Sequence, residues 1–177
     1  LICKNPTVFL DDLRKIKPEY LAVQFENLEN NQEFYSLLSC GLPNVGLAIT
    51  QNTNFKEVED LINKSDYVLL MTTSPGLSGF KFSNKSLNWI KDFKKHFPFK
   101  RIHVDGGVNG KVAIELRSLG IDCVVSGSYL MNSSSMVASV LAMKGLNKLS
   151  KAEDAMLDLK YLQVLKHNAS LSEVLVA

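Results

Sequence analysis

Two stretches constrain this chain more than any others. Tyr67-Val-Leu-Leu-Met71 runs into Thr-Thr-Ser-Pro-Gly76, and Ile102-His-Val-Asp105 runs into Gly106-Gly107. Each is an apolar, β-forming run that ends abruptly in small residues and is followed by a helical pattern, so each reads as strand, loop and helix. In a parallel α/β sheet the loops at the carboxyl ends of the strands converge on one face. The Pro75-Gly76 loop and the Asp105-Gly106-Gly107 loop are therefore predicted to be neighbours there, one carrying backbone amides and the other a carboxylate.

The same alternation recurs along the chain. Asn5-Pro6 predicts a helix start, with an Asn cap and Pro at the first helical position, and Val8, Phe9, Leu10, Leu13 and Ile16 supply an apolar stripe that Pro18 stops. Tyr20 to Phe25 reads as a strand and Gln32 to Ser39 as a helix. Val45 to Ile49 is the next strand, and Phe55, Val58, Leu61 and Ile62 share one face of the following helix. Ser83 or Asn84 caps a helix carrying Leu87, Ile90 and Phe93. Val112, Ala113, Leu116 and Leu119 mark another that ends at Gly120. Cys123 to Ser126 is the fifth strand, followed by a short turn and a helix through Met136, Val137, Val140 and Leu141. Helix-bearing connections imply parallel strands with right-handed crossovers, giving five countable βα units. Residues 1–147 are assigned to this α/β unit. Residues 148–177 are assigned to a helical C-terminal extension, opened by the capping box Ser150-Lys-Ala-Glu153, that packs or oligomerises.

The 177 residues, 46% of them hydrophobic, suit one globular domain with a real core. A formal charge of +2 gives no case for a nucleic-acid partner. The longest apolar runs, such as Val68 to Met71, are far too short to span a bilayer, so no membrane association and a cytoplasmic location are expected. Cys3, Cys40 and Cys123 form no C-x-x-C pair and read as free thiols, with Cys123 packed as a small hydrophobe in its strand.

Several ordered pieces together resemble the ribulose-phosphate 3-epimerase family. Leu1-Ile2-Cys3-Lys4-Asn5-Pro6 is similar to that family's His-Leu-Met-Val-x-x-Pro, with the His falling before Leu1. Val45-Gly-Leu-Ala-Ile49 resembles the strand before its Asn-Pro-Gly-Thr loop. Met71-Thr-Thr-Ser-Pro-Gly-Leu-Ser-Gly-Phe-Lys-Phe82 resembles Met-x-x-x-Pro-Gly-Phe-Gly-Gly-Gln-x-Phe, and Val104-Asp-Gly-Gly-Val-Asn109 matches the family hallmark unchanged. Ser126-Gly127-Ser128 stands in place of the Ala-Gly-Ser phosphate loop. There are departures: Ser78 and Phe80 replace a glycine and a glutamine, Gln24 stands where His is common, and Thr50-Gln51-Asn52 replaces Asn-Pro-Gly.

The resemblance implies a phosphosugar-binding (β/α)8 TIM barrel, of which five of the eight βα units are evident. The family's first two strands and most of its third would precede Leu1, with one catalytic Asp and three metal ligands. Five parallel strands do not close a barrel, so upstream residues or another polypeptide are expected to complete it. The implied activity is interconversion of ketose phosphates, D-ribulose 5-phosphate and D-xylulose 5-phosphate, by metal-assisted proton abstraction and return at C3. Its cofactor would be a divalent ion of the Zn, Fe, Mn or Co type. The alternative is a non-catalytic or diverged phosphosugar-binding relative. A homo-oligomer is the expected assembly.

By its place in Val-Asp-Gly-Gly, Asp105 is implied as catalytic acid/base and as metal ligand. The glycines after it also let backbone amides approach an anion, independently of any family. Gly106, Gly107, Gly127 and Ser128 are expected to form the phosphate cradle, and Gly76, Leu77, Ser78 and Gly79 to cover the sugar. Met71 is expected to line the site. Each has a plainer reading: Asp-Gly is a turn signal, Gly127-Ser128 a helix-capping turn, and Met71 core filler. His103 shares strand parity with Asp105 and reads as a packed, hydrogen-bonded histidine. His96 and His167 read as helix-surface residues, and the lysines around residues 91–101 as a solvated face.

Overall fold

Five strands lie side by side in chain order in one parallel sheet: β1 (Leu21–Gln24), β2 (Val45–Thr50), β3 (Tyr67–Met71), β4 (Ile102–Asp105) and β5 (Cys123–Val125). The computed structural model describes residues 1–76 and 79–146. The expected extension over 148–177 and His167 lie outside the described residues. A helix follows each strand: α2 (Asn31–Leu38), α3 (Phe55–Lys64), α4 (Asn84–His96), α5 (Gly110–Ser118), and after β5 the short α6 (Ser128–Met131) and α7 (Met136–Met143). The helix α1 (Leu10–Ile16) precedes β1. The expected α/β architecture of five βα units is present.

Side-chain caps start several of the helices, and the one at Ser83 is where the sequence predicts it. Asn30, Asn54, Ser83 and Asn109 each accept from a backbone N–H in the first turn, satisfying donors that a helix start leaves without partners. Behind the caps, Val58, Leu61 and Ile62 of α3, Leu87, Ile90 and Phe93 of α4, and Val112, Ala113 and Leu116 of α5 are buried. They pack with Val45, Leu47 and Ile49 of β2, Val68 and Leu70 of β3, and Ile102 and Val104 of β4 in one core. The helices therefore cover one face of the sheet.

Register fixes what the other face carries. Gln24 pairs with Ala48, Ala48 with Leu69, Leu69 with His103 and His103 with Cys123; one row nearer the carboxyl ends, Thr50 pairs with Met71, Met71 with Asp105 and Asp105 with Val125. This face is concave. Neighbouring strands are about 4.8 Å apart, so β1 and β4 of a flat sheet would be separated by about 14 Å. Yet the ring of Tyr20, at the start of β1, lies 5.4 Å from that of His103 on β4. The curl lets Tyr20, Ala22, Tyr67, Arg101, His103 and Cys123 line a shared inner hollow. Leu1 extends the β1 edge: its amine donates to the Ala22 carbonyl, and its own carbonyl accepts from Gln24 N–H at 3.1 Å.

Three local expectations are corrected. Asn5 does not cap a helix. It sits at φ 49°, its side chain accepts from the Thr7 hydroxyl at 2.7 Å, and Pro6–Phe9 form a 3-10 turn. That turn, tighter than an α-helix, leaves Val8 and Phe9 exposed; Ile16 is exposed too, and Leu13 is the buried member of the expected stripe. Cys123 is exposed, because among the described residues β5 is an edge strand, whereas Cys40 is buried. His103 is packed as expected, but among the described residues its ring makes no hydrogen bond and instead stacks on Tyr67 at 4.2 Å between ring centres, and burial, with Arg101 nearby, lowers its pKa.

Candidate active site

Asp105 is the last residue of β4, placed by parity on the concave face and by register opposite Met71 and Val125. Beyond it the chain reverses through Gly106 at φ 116° and Gly107 at φ 64°, a pair of backbone states that side chains rarely adopt. Space demands glycine as firmly as the dihedrals do. A Cβ on Gly106 would lie 2.5 Å from the Thr72 hydroxyl, and one on Gly107 would lie 2.5 Å from Phe82 N and 2.6 Å from Phe80 O. The Asp-Gly-Gly loop is thus clasped between the end of β3 and the returning segment 80–82.

A cavity of about 310 Å³ opens at this rim. Its wall includes Met71, Thr73, Gly76 and Gly79 from the loop after β3, Asp105, Gly106, Gly107 and Val108 from the loop after β4, and Val125, Gly127 and Ser128 from the end of β5. Ile2 completes it from the β1 side. The volume lies at the small end of the roughly 300–1,000 Å³ typical of ligand sites, a size for a small metabolite. Of the residues singled out in the sequence, Met71, Gly76, Gly79, Asp105, Gly106, Gly107, Gly127 and Ser128 meet here; Leu77 and Ser78 lie outside the described residues. Ile2, Thr73, Val108 and Val125 were not anticipated. Val125 had a usable signal, since it precedes the Ser-Gly-Ser turn with the parity of Cys123.

The loops are tied to one another. Thr72 N–H donates to the Asp105 carbonyl at 2.8 Å, and the Ser126 hydroxyl donates to the Val108 carbonyl at 2.7 Å. Asp105 is half-buried, and burial pushes its carboxyl above the usual aspartate value, partly offset by the Gly106 N–H that bonds it. Such a group passes more easily between its charged and protonated forms near neutral pH than an exposed aspartate does. Around it, glycine amides can approach an anion without interference from side chains.

A divalent ion, implied by the family resemblance, meets one carboxylate, Asp105, among the described residues of this wall. Among the described residues no three His, Cys, Asp or Glu side chains gather to hold a metal, and catalytic metal sites commonly take about three protein ligands. The described residues therefore do not make a metal site by themselves. Also among the described residues, no helix is long and apolar enough to cross a membrane.

A model of the ribulose-phosphate 3-epimerase family matches residues 1–131. The ribulose-phosphate 3-epimerase of Helicobacter pylori strain J99 is 30% identical over 137 residues, covering 75% of this chain and 63% of the relative. Those of Aquifex aeolicus and Bacillus subtilis are 26% and 27% identical over 150 residues, each covering 82% of this chain and 68% and 69% of the relative. The chain thus spans roughly two thirds of the length of these curated relatives. With the hallmark Asp-Gly-Gly loop at the rim of a parallel sheet and the family match running across all five strands, this chain belongs to the ribulose-phosphate 3-epimerase family.

Proposed function

We propose that this chain supplies the proton-transfer carboxylate and the phosphate end of a ketose-phosphate 3-epimerase, one that interconverts D-ribulose 5-phosphate and D-xylulose 5-phosphate. One observation carries the reading: three separate loops bring Asp105 and the glycine amides to a single small cavity. Epimerisation beside a carbonyl moves the C3 proton to a base, shifts the C3–H electron pair toward the C2 carbonyl oxygen to form an enediolate, and returns a proton to the opposite face. Asp105 serves one face as base or acid. The phosphate lies against the backbone of Gly106, Gly107, Gly127 and Ser128, and the sugar lies under the Gly76 to Gly79 loop beside Met71. A cytoplasmic setting belongs to the same reading.

The test uses the full chain with ribulose 5-phosphate in deuterium oxide, following xylulose 5-phosphate formation and deuterium entry at C3. Asp105→Asn is expected to lower turnover by about 10²–10⁴-fold while leaving phosphosugar binding largely intact. Turnover unaffected by that change rejects the role. A second reading, a phosphosugar-binding relative without catalysis, is favoured by the single carboxylate on the cavity wall, since two proton-handling groups are needed for inversion. Tight binding with no deuterium incorporation selects it.

A further inference from the structure

The carbonyls of Asp105 and Gly106 both point at one side chain. The Thr72 hydroxyl lies 2.9 Å from the Asp105 carbonyl oxygen and 2.6 Å from that of Gly106, and Thr72 N–H adds a third bond to Asp105 at 2.8 Å. Thr72 itself is only 8% exposed. Its own carbonyl accepts from Gln51 Nε2 at 3.4 Å, and that amide also reaches the Ser86 hydroxyl at 3.0 Å. Ser86 in turn bonds Ser83, which caps α4. A polar chain thus runs from the start of α4 through Gln51 to the two peptide groups that follow Asp105.

The consequence follows from peptide geometry. In a trans peptide the C=O and N–H point in opposite directions, and the described chain has no cis bonds. Holding the Asp105 carbonyl toward Thr72, which the Thr72 backbone N–H does as well as the hydroxyl, turns Gly106 N–H the other way. Holding the Gly106 carbonyl likewise turns Gly107 N–H away from Thr72, on a residue that lines the cavity. Because neither glycine carries a side chain, and each sits at positive φ, nothing of their own fixes these planes. The Thr72 backbone N–H holds the first plane, and among the described residues the Thr72 hydroxyl holds the second.

We propose that Thr72 is a positioning residue of this site: by holding the Gly106 carbonyl its hydroxyl orients the Gly107 amide toward the bound anion, without itself touching substrate. Gln51 braces it from behind. This residue belongs to Thr50-Gln51-Asn52, one of the chain's departures from the family pattern. The contribution is preorganisation, so it acts on the rate more than on binding.

The experiment compares Thr72→Val, which removes the hydroxyl at constant shape, with Thr72→Ser, which keeps it. Its kinetic arm rests on the epimerase reading above. Thr72→Val is expected to lower kcat by about 10- to 100-fold with KM changed less than about threefold, and Thr72→Ser to recover most of the loss. The second arm is independent of activity: the shift of the Gly107 amide resonance of the full chain on addition of inorganic phosphate, measured by NMR. That shift is expected to shrink about threefold or more in Thr72→Val and to stay near wild type in Thr72→Ser. An unchanged kcat in Thr72→Val, equal losses in Val and Ser, or an unchanged phosphate shift each overturns the proposal. If Thr72→Val does not fold, Thr72→Ala against Thr72→Ser makes the same comparison of a hydroxyl present and absent. A wild-type chain with no turnover counts against the epimerase reading alone, and the phosphate-shift result then decides the role of Thr72.

Discussion

Glu26 gathers an unusual number of donors for a residue just past a strand end. Thr50 N–H and the Thr50 hydroxyl reach its Oε1 at 2.9 and 2.8 Å, the Thr53 hydroxyl bonds the same oxygen, and Gln24 Nε2 bonds the other. Burial alone would raise its pKa, but the bonds from Thr53, Gln24 and Thr50 outweigh this and hold the carboxyl below the ordinary glutamate value of 4.5. The residue is exposed as a whole while its carboxylate is enclosed by donors. A group with a depressed folded pKa contributes stability that is fully present above 4.5 and lost as pH falls through the lower folded value. Glu26→Gln is therefore expected to destabilise the protein at pH 7 by about 1 kcal/mol, screening considered. Urea titrations at falling pH should show that gap closing below 4.5; a gap constant with pH would refute the assignment. None of this was legible in the sequence. Asp105 announces itself by the Gly-Gly that follows, whereas apart from Gln24 the donors to Glu26, on Thr50 and Thr53, come from 24 to 27 residues away with no local pattern. Gln24, read as a departure from the family, is 1% exposed and its Oε1 has no hydrogen-bond partner among the described residues.

Elements whose partners are local were the ones the sequence could reveal. Helices α3, α4 and α5 carry both a capping side chain and a 3.6-residue apolar period, two signals that agree. The 3-10 turn at Pro6 breaks that period, and the edge position of β5 exposes an apolar run that looks like core, since neither fact is written in its own residues. The concave face shows the same division. Ala22, Gly46 and Ala48 look like weak strand residues, but Gly46 is required: a Cβ there would run into the ring of Tyr67. Tyr67 is 2% exposed, stacked on His103 and met edge-on by Tyr20 at 5.7 Å, so the ring has no room to yield. Gly46→Ala, a favourable change for an ordinary strand, is predicted to cost roughly 1–3 kcal/mol in chemical denaturation. Pairing it with Tyr67→Leu, which clears the collision, should make the alanine nearly neutral; additive losses would mean that Tyr67 is not what Gly46 accommodates.

At the scale of the molecule the order β1-β2-β3-β4-β5 makes stability uneven across the sheet. Strands β2, β3 and β4 each have a parallel neighbour on both sides and give their outward residues to the helix-covered core. Among the described residues strand β5 has one neighbour, and it has three residues and an exposed thiol and valine. Opening it breaks few apolar contacts, whereas opening β3 must disrupt the core on which α3 and α4 pack. Amide exchange should therefore be slowest at Tyr67–Met71 and Ile102–Val104 and roughly 10- to 100-fold faster at Cys123–Val125. The site spans this gradient, with Asp105 on a firm strand and Gly127 and Ser128 beyond a loose one. Phosphosugar bridging the two loops should slow exchange at Val124 and Val125 more than in β3, because a ligand stabilises most where opening was easiest. Mass-resolved hydrogen exchange with and without ribulose 5-phosphate reads this directly. Protection confined to β3 and β4 would place the anion away from the Gly127-Ser128 turn.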